Sequence, residues 1–249
     1  MAWATETLTE HEILSAKAQL QTKLPQIWHS WDGVWPRSPA VNNTLVKYQS
    51  TAPDWLYHPA NLNMDLLPVI QKELIKLSVV TKKNNLVPYT STFVEIKNLK
   101  LIELMCPVLV QELKKLELYD TFGLIAIISV DCSKEFPPHV DVGDDIAMNI
   151  PLINCEGTYT VWYDAKIIDQ ELPSYAIGSE IVKIARICDP RTAVEIGRCD
   201  STIPHWINVN VPHRPETHHD KLRMAASIRF LPSPLNDGEL WSNLILNNG

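Results

Sequence analysis

The second half of the chain carries the pattern that most constrains the fold. Beyond residue 120, short runs rich in Ile, Val, Thr and aromatic residues alternate with turn residues. Many short strands separated by turns are typical of an all-β sandwich or barrel. The predicted strands cover residues 122–130, 146–153, 158–164, 180–187, 193–197, 205–211 and 222–230. We therefore predict a mainly β fold, namely a jelly roll (double-stranded β-helix).

The first part of the chain shows helical spacing instead. Residues 66–80 and 107–117 place apolar side chains three and four positions apart, and residues 5–24 do so more loosely. Residues 25–63 are predicted to be irregular because five prolines interrupt them. These patterns predict N-terminal α-helices that buttress the jelly roll.

Length and composition indicate one domain. The chain has 249 residues and is 45% hydrophobic, which is enough for one substantial core. We predict a single domain over residues 1–249, in which residues 1–119 form a helical and irregular support region. Residues 120–231 would form the β core, and residues 232–249 a C-terminal tail.

Charge and cysteine content narrow the possible partners and location. The net charge of −7 makes binding to nucleic acid unlikely, because phosphate contacts need clustered Lys and Arg. The five cysteines are scattered and form no CxxC, so neither a disulfide framework nor a zinc knuckle is indicated. The N-terminus lacks the features of a signal peptide, and the apolar runs are too short to cross a bilayer. We expect a soluble, cytoplasmic protein that acts on a small molecule.

Two residues in the middle of the chain are candidate metal ligands. His139 and Asp141 lie two positions apart, after Pro137 and Pro138, which stiffen the approach. In an extended segment residues i and i+2 point to the same face, so this imidazole and carboxylate can bind one ion. An HxD match alone is a weak signal, because a chain of this composition is expected to contain roughly 0.45 such matches by chance.

A second HxD match illustrates that weakness. His218 and Asp220 have the same spacing, but they lie in the polar stretch 215–221. We predict that this stretch is an exposed loop between two strands, without a role in metal binding.

A histidine and an arginine further along the chain distinguish the first match from the second. His213 follows a predicted strand, and Arg223 comes ten residues later at the start of the next one. An arginine in an otherwise apolar strand points into a cavity only if an anionic group meets it, because its desolvation is otherwise uncompensated. The order is thus HxD, a β-rich stretch, a histidine and an arginine.

This order has a specific chemical meaning. Two imidazoles and one carboxylate form the facial triad of non-haem iron(II), which leaves coordination positions open for a bidentate 2-oxo acid and dioxygen. An arginine can bind the remote carboxylate of the same acid through two N–H groups. The order resembles that of the iron(II)- and 2-oxoglutarate-dependent dioxygenase superfamily. It is most similar to the branch of aspartyl/asparaginyl β-hydroxylases and bacterial proline hydroxylases, and the resemblance covers residues 120–231.

The resemblance implies a reaction and a set of roles. Iron(II) would bind His139, Asp141 and His213, and 2-oxoglutarate would chelate the iron while Arg223 binds its distal carboxylate. Dioxygen would be the second cosubstrate, and succinate and carbon dioxide would be released. Because Asp141 retains the carboxylate that related halogenases lack, the implied reaction is hydroxylation of an unactivated C–H bond. We expect the substrate to be a free amino acid or a similar small molecule.

One departure from the superfamily pattern leaves some roles open. Many members carry Arg-x-Ser after the distal histidine, whereas Ala225 occupies the serine's position here. Ser227 and Arg229 share strand parity with Arg223 and could replace these cosubstrate contacts, although Arg229 could instead be a salt-bridged edge residue. Asn149 could donate to a cosubstrate carboxylate or could be satisfied by backbone.

Other readings of the sequence remain open. Trp162 could face the core or the pocket, and His205 could be a further polar group of the site or an ordinary histidine at a strand end. The alternative function is a non-catalytic, cupin-type jelly-roll protein that binds a ligand. A cupin-like enzyme with a different metal set would need further His or Glu ligands, for which His205 is the only candidate we see.

Overall fold

The computed structural model describes residues 55–83, 93–130, 138–141, 146–171, 174–177, 180–182, 185–189, 191–218 and 221–246. The strands in these ranges are β1 (Tyr57–Pro59), β2 (Phe93–Ile96), β3 (Phe122–Val130), β4 (His139–Asp141), β5 (Ile146–Ile153), β6 (Thr158–Asp164), β7 (Ile167–Glu171), β8 (Ser174–Ile177), β9 (Glu180–Val182), β10 (Ala185–Cys188), β11 (Val194–Asp200), β12 (His205–Asn208), β13 (His213–Thr217) and β14 (Arg223–Phe230). The helices are α1 (Leu67–Lys83), α2 (Leu99–Met105), α3 (Pro107–Lys115), a 3₁₀-helix (Pro234–Asn236) and α4 (Gly238–Leu246).

Two six-stranded antiparallel sheets dominate the described part of the chain. The first sheet has the order β1-β12-β5-β14-β3-β2, and the second has the order β11-β6-β13-β4-β10-β7. Successive strands alternate between the sheets: β4 and β6 belong to the second, whereas β5 belongs to the first. The same alternation recurs from β11 to β14. The mainly β prediction is therefore confirmed, and the alternation is consistent with a jelly-roll-like fold.

The helices cover the outer face of the first sheet. Side chains from α1, α2 and α3 form one apolar cluster with alternate residues of β3, β5 and β14. Local signals fix these helices: Pro107 opens α3, and the Asn98 side chain accepts a hydrogen bond from the backbone N–H of Leu101 at the start of α2. The Glu73 carboxylate of α1 accepts from the N–H groups of Val108 and Leu109, which ties α1 to the start of α3.

A smaller apolar cluster lies between the two sheets. It contains Ala147, Trp162, Cys199, Ile207 and Val209. The Trp162 indole is fully buried, and its N–H donates to the carbonyl oxygen of Asn208 at 2.9 Å. Of the two orientations that the sequence left open, the structure therefore selects the core.

Several predicted boundaries agree with the structure. The runs 122–130, 146–153 and 158–164 are strands over their whole predicted length, and the run 180–187 is divided into β9 and β10. The predicted helices 66–80 and 107–117 correspond to α1 and α3. The predicted helix 5–24 and most of the irregular stretch 25–63 lie outside the described residues.

The prediction of an exposed loop over residues 215–221 is wrong in its first part. Strand β13 includes residues 215–217 and pairs with β6 over its whole length. The stretch is polar because one face of an antiparallel sheet can be turned to solvent. On that face Arg214 and Glu216 form an ion pair at 2.6 Å, and the Tyr163 hydroxyl donates to Glu216 at 2.5 Å.

The region predicted as a C-terminal tail contains a 3₁₀-helix and helix α4. Helix α4 carries Trp241, whose ring stacks on that of Trp55 with centroids 5.3 Å apart and also meets Trp206 edge-on. Helix α4 thus packs beside β12, at one end of the first sheet. Among the described residues, no helix has the length and hydrophobicity required to span a membrane.

Candidate metal centre

The candidate metal ligands come from two adjacent strands of the second sheet. Strands β4 and β13 pair in a register that places His139 opposite His213. Side chains opposite each other in an antiparallel pair lie on the same face, and the two imidazole centroids are 4.8 Å apart. Asp141 lies two residues after His139 in the same strand, so its side chain joins them on that face.

The three side chains converge closely enough for one ion. One ligand atom from each of His139, Asp141 and His213 lies within 4.8 Å of the others, and no other such cluster was found in the described ranges. The His139 Nε2 atom is 3.6 Å from Asp141 Oδ1. The backbone N–H of Asp141 donates to the carbonyl oxygen of Val209 at 3.1 Å, which fixes the end of β4. The sequence placed these residues together, and the structure does so too.

Hydrogen bonding leaves the second nitrogen of His213 free for a metal. The His213 Nδ1 atom is 2.9 Å from the carbonyl oxygen of Val211. Because a carbonyl oxygen only accepts, Nδ1 must carry the proton and Nε2 must carry the lone pair. Metal-binding histidines are commonly oriented by such a contact.

The charge states also suit metal binding. Burial lowers the pKa of His213 to about 4, so its imidazole is neutral near pH 7. Burial by itself raises the pKa of Asp141, but the Arg229 guanidinium and the two imidazoles more than offset this, and the net pKa is lowered. A neutral imidazole and an ionised carboxylate are the forms that bind a divalent cation.

Arg229 belongs to this centre through Asp141. Its Nη2 atom is 2.5 Å from Asp141 Oδ2, and both side chains are largely buried. The sequence allowed a salt-bridged residue at a sheet edge, but β14 lies between β5 and β3, inside the first sheet. Arg229 therefore reaches across from one sheet to the carboxylate of the other.

A row of polar side chains crosses the inner face of the first sheet. Three adjacent strands place His205 opposite Asn149 and Asn149 opposite Ser227. All three residues are buried. Within the described part of the chain, no hydrogen-bond partner is found for His205 Nε2, Asn149 Oδ1 or Ser227 Oγ. Buried polar atoms without a partner are uncommon in folded proteins, and a row of them indicates that a ligand or water completes it.

Arg223 adds a cation to the same face. It is 3% exposed, and its Nε atom has no hydrogen-bond partner among the described residues. Burial lowers the pKa of the guanidinium, and the nearby Cys155 side chain opposes that effect. A buried guanidinium with an unpaired N–H is costly unless an anion meets it.

His205 is the residue that sequence reasoning undervalued. Its Nδ1 atom is 2.8 Å from the carbonyl oxygen of Ile203, so Nδ1 donates and Nε2 is an acceptor turned to the polar row. Burial lowers its pKa to about 4, which keeps the ring neutral. Strand parity could have indicated that His205 is buried, because it lies two residues before the buried Ile207 and on the same face of the strand.

The second HxD does not contribute to the centre. His218 is exposed, and its ring lies edge-on to that of Tyr159 with centroids 5.5 Å apart. Asp220 lies outside the described residues. Spacing alone did not separate the two HxD pairs, whereas the pairing of β4 with β13 does.

Comparisons with known proteins give a distant likeness in structure alone. No protein-family model matches the chain, and no curated protein matches its sequence. HygX from Streptomyces hygroscopicus, solved with nickel and 2-oxoglutarate bound, is 10% identical with a TM-score of 0.40 over 74% of this chain and 85% of HygX. The epimerase SnoN, solved with Fe3+, alpha ketoglutarate and nogalamycin RO, is 10% identical with a TM-score of 0.39 over 77% of this chain and 83% of SnoN.

A third similar structure is much longer than this chain. The E. coli protein ycfD is 16% identical with a TM-score of 0.35, and the match covers 57% of this chain but 36% of ycfD. All three likenesses have low sequence identity and a TM-score of 0.40 or less.

Proposed function

We propose that this protein is an iron(II)- and 2-oxoglutarate-dependent oxygenase that hydroxylates an unactivated C–H bond of a small molecule. The observation that carries the proposal is the convergence of His139, Asp141 and His213, with ligand atoms within 4.8 Å of one another. Two imidazoles and one carboxylate are the donor set of non-haem iron(II) oxygenases, and they leave positions open for other ligands.

The residues present fit iron(II). His213 offers an unprotonated Nε2, Asp141 is ionised, and both are oriented by contacts with the surrounding protein. When bound with 2-oxoglutarate, iron(II) and dioxygen supply oxidative decarboxylation to succinate and carbon dioxide coupled to hydroxylation of the substrate. The presence of Asp141 favours hydroxylation over halogenation, because its carboxylate occupies the position that a halide would need.

The inner face of the first sheet supports a dicarboxylate cosubstrate. Arg229 is already engaged by Asp141, whereas Arg223 has a buried N–H without a partner in the described part of the chain. We therefore assign Arg223 to the distal carboxylate of 2-oxoglutarate. Ser227 would take the role of the superfamily's serine, whose position is occupied here by Ala225. Together with Asn149, which lies opposite it on β5, Ser227 would complete the contacts to that carboxylate.

The proposed substrate class rests on the burial of the site and on the net charge of the chain. Asp141 and His213 are buried, and the chain carries a net charge of −7. Both features disfavour a polyanion such as nucleic acid. A free amino acid or a similar small molecule is the substrate class that we propose.

The direct test is a turnover assay. Full-length protein loaded with iron(II) should release succinate from 2-oxoglutarate, and the rate should rise with the right member of a panel of amino acids, peptides and nucleosides. Asp141→Ala and His213→Ala should both abolish succinate release, whereas Arg198→Met on the exposed edge of the second sheet should not. If no condition yields succinate and a ligand is retained tightly without iron, the protein is a cupin-type binding protein and the proposal fails.

A further inference from the structure

The two oxygens of the Asp141 carboxylate have different neighbours. Oδ1 lies 3.6 Å from His139 Nε2, on the side of the imidazoles. Oδ2 lies 2.5 Å from the Arg229 guanidinium, which comes from the other sheet. The carboxylate is thus held with one oxygen toward the metal-binding atoms and the other toward a fixed cation.

We propose that Arg229 is a positioning residue that restricts Asp141 to binding a metal through Oδ1 alone. The inference rests on the metal centre of the proposed function but assigns a role that the triad itself does not require. A carboxylate free to rotate can chelate a cation with both oxygens, as happens in calcium sites. The ion pair with the guanidinium holds Oδ2 toward the cation and disfavours a second bond from this oxygen to the metal.

The surroundings make this restraint effective. Arg229 lies on β14 between Leu124 of β3 and Ala147 of β5, so its backbone is fixed by pairing on both sides. Its side chain is 12% exposed, and ion pairs that are shielded from water are screened little by salt. Contacts that orient a ligating carboxylate are part of how a protein tunes its metal.

The consequence is a free coordination position. A facial triad with a monodentate carboxylate leaves about three positions of an octahedral ion open, and bidentate binding by Asp141 would remove one. Chelation by a 2-oxo acid together with dioxygen needs all of the open positions. Arg229 thereby keeps the site capable of binding both at once.

The test counts water molecules on Mn(II), a redox-inert probe of the iron site. Electron paramagnetic resonance of full-length protein with Mn(II) in ¹⁷O-labelled water should show three water ligands in the wild type. Arg229→Met should show two, and Arg229→Lys, which keeps a cation near Oδ2, should restore three. The matched control is Arg198→Met, which removes the exposed Arg198–Glu195 ion pair and should leave three.

The outcomes separate this inference from the proposed function. Three waters in a folded Arg229→Met would overturn the positioning role, while loss of Mn(II) binding in Asp141→Ala would still support the metal centre. Equal Mn(II) binding by wild type and Asp141→Ala would instead defeat the proposed function. If Arg229→Met does not fold, a crystal structure of the wild-type Mn(II) complex decides: Oδ2 on Arg229 supports the role, and Oδ2 bound to Mn(II) refutes it.

Discussion

The two faces of strand β14 differ in polarity and in what they contact. Its even-numbered residues, Met224 to Phe230, pack against the helices in a continuous apolar cluster. Its odd-numbered residues turn toward the second sheet and include Arg223, Ser227 and Arg229. On the outer face the side chains are apolar and packed, whereas on the inner face Arg223 and Ser227 have polar atoms without a partner among the described residues. The outer face therefore stabilises the fold, and the inner face carries the polar groups that we propose for binding a ligand.

The largest effect on stability should come from the outer face. Ile228 is fully buried among the helices, so Ile228→Ala should lower the free energy of unfolding by about 2 to 5 kcal/mol through lost burial and a cavity. Chemical denaturation measures this, and Mn(II) affinity of the folded fraction should be unchanged. Val69→Ala on the exposed side of α1 is the control, with an expected change below about 0.5 kcal/mol. A large loss of metal affinity in Ile228→Ala would show that the two faces are not separable.

Arg223→Met should weaken ligand binding without lowering stability, which is the reverse of the effect expected for Ile228→Ala. We expect about 100-fold weaker binding of 2-oxoglutarate to the Mn(II) form, or about 2.7 kcal/mol, because the distal carboxylate loses a charge-assisted contact. The free energy of unfolding should not fall, since the change removes a buried guanidinium whose Nε atom has no partner in the described ranges. Calorimetric titration and denaturation measure the two quantities. Unchanged 2-oxoglutarate affinity would transfer the cosubstrate role away from Arg223.

His205 should make the free energy of unfolding depend on pH. Its pKa is lowered to about 4 by burial, with Arg223 lowering it further and the Ile203 carbonyl and Asp200 opposing this. Between about pH 6.5 and pH 4 the unfolded chain therefore binds an extra proton, and stability falls as pH falls. His205→Gln should reduce that loss by about 1 to 3 kcal/mol relative to wild type. Denaturation at about pH 7 and about pH 4.5 checks this, and parallel curves for the two proteins would contradict it.

Ser227→Ala should give the smallest effect. Loss of one neutral hydrogen bond to the cosubstrate is worth about 0.5 to 1.5 kcal/mol, which corresponds to a few-fold weaker 2-oxoglutarate binding. The free energy of unfolding should be nearly unchanged because the Oγ atom has no partner in the described part of the protein. A loss as large as that of Arg223→Met would show that Ser227 is a principal contact.

The sequence predicted the parts of the fold that have strong local signals. Strands β5 and β6 match their predicted bounds because two apolar runs are separated by a turn with Asn154 and Gly157 at positive φ, which these residue types tolerate. Strand β13 was predicted in part as a loop because its outward residues, such as Arg214 and Glu216, are polar. Its strand character comes from pairing with β6, which no local pattern contains.

The site was predictable in its ligands but not in its two arginines. The order of residues, which resembles that of a known superfamily, grouped His139, Asp141 and His213 as candidate ligands, and the structure brings one ligand atom of each within 4.8 Å of the others. The ten-residue spacing from His213 favoured Arg223, but strand parity left Arg229 as an alternative because both lie on the same face of one strand. Their environments differ because β4 approaches β14 from the opposite sheet and places Asp141 against Arg229, whereas Arg223 lies near Cys155.

We propose that one metal binds three side chains while a 2-oxo acid chelates it. Anaerobic addition of iron(II) and then 2-oxoglutarate to the protein tests this arrangement. We predict a weak visible charge-transfer band that requires both additions and disappears in His213→Ala. No band at saturating ligand, or the same band in His213→Ala, would contradict the account.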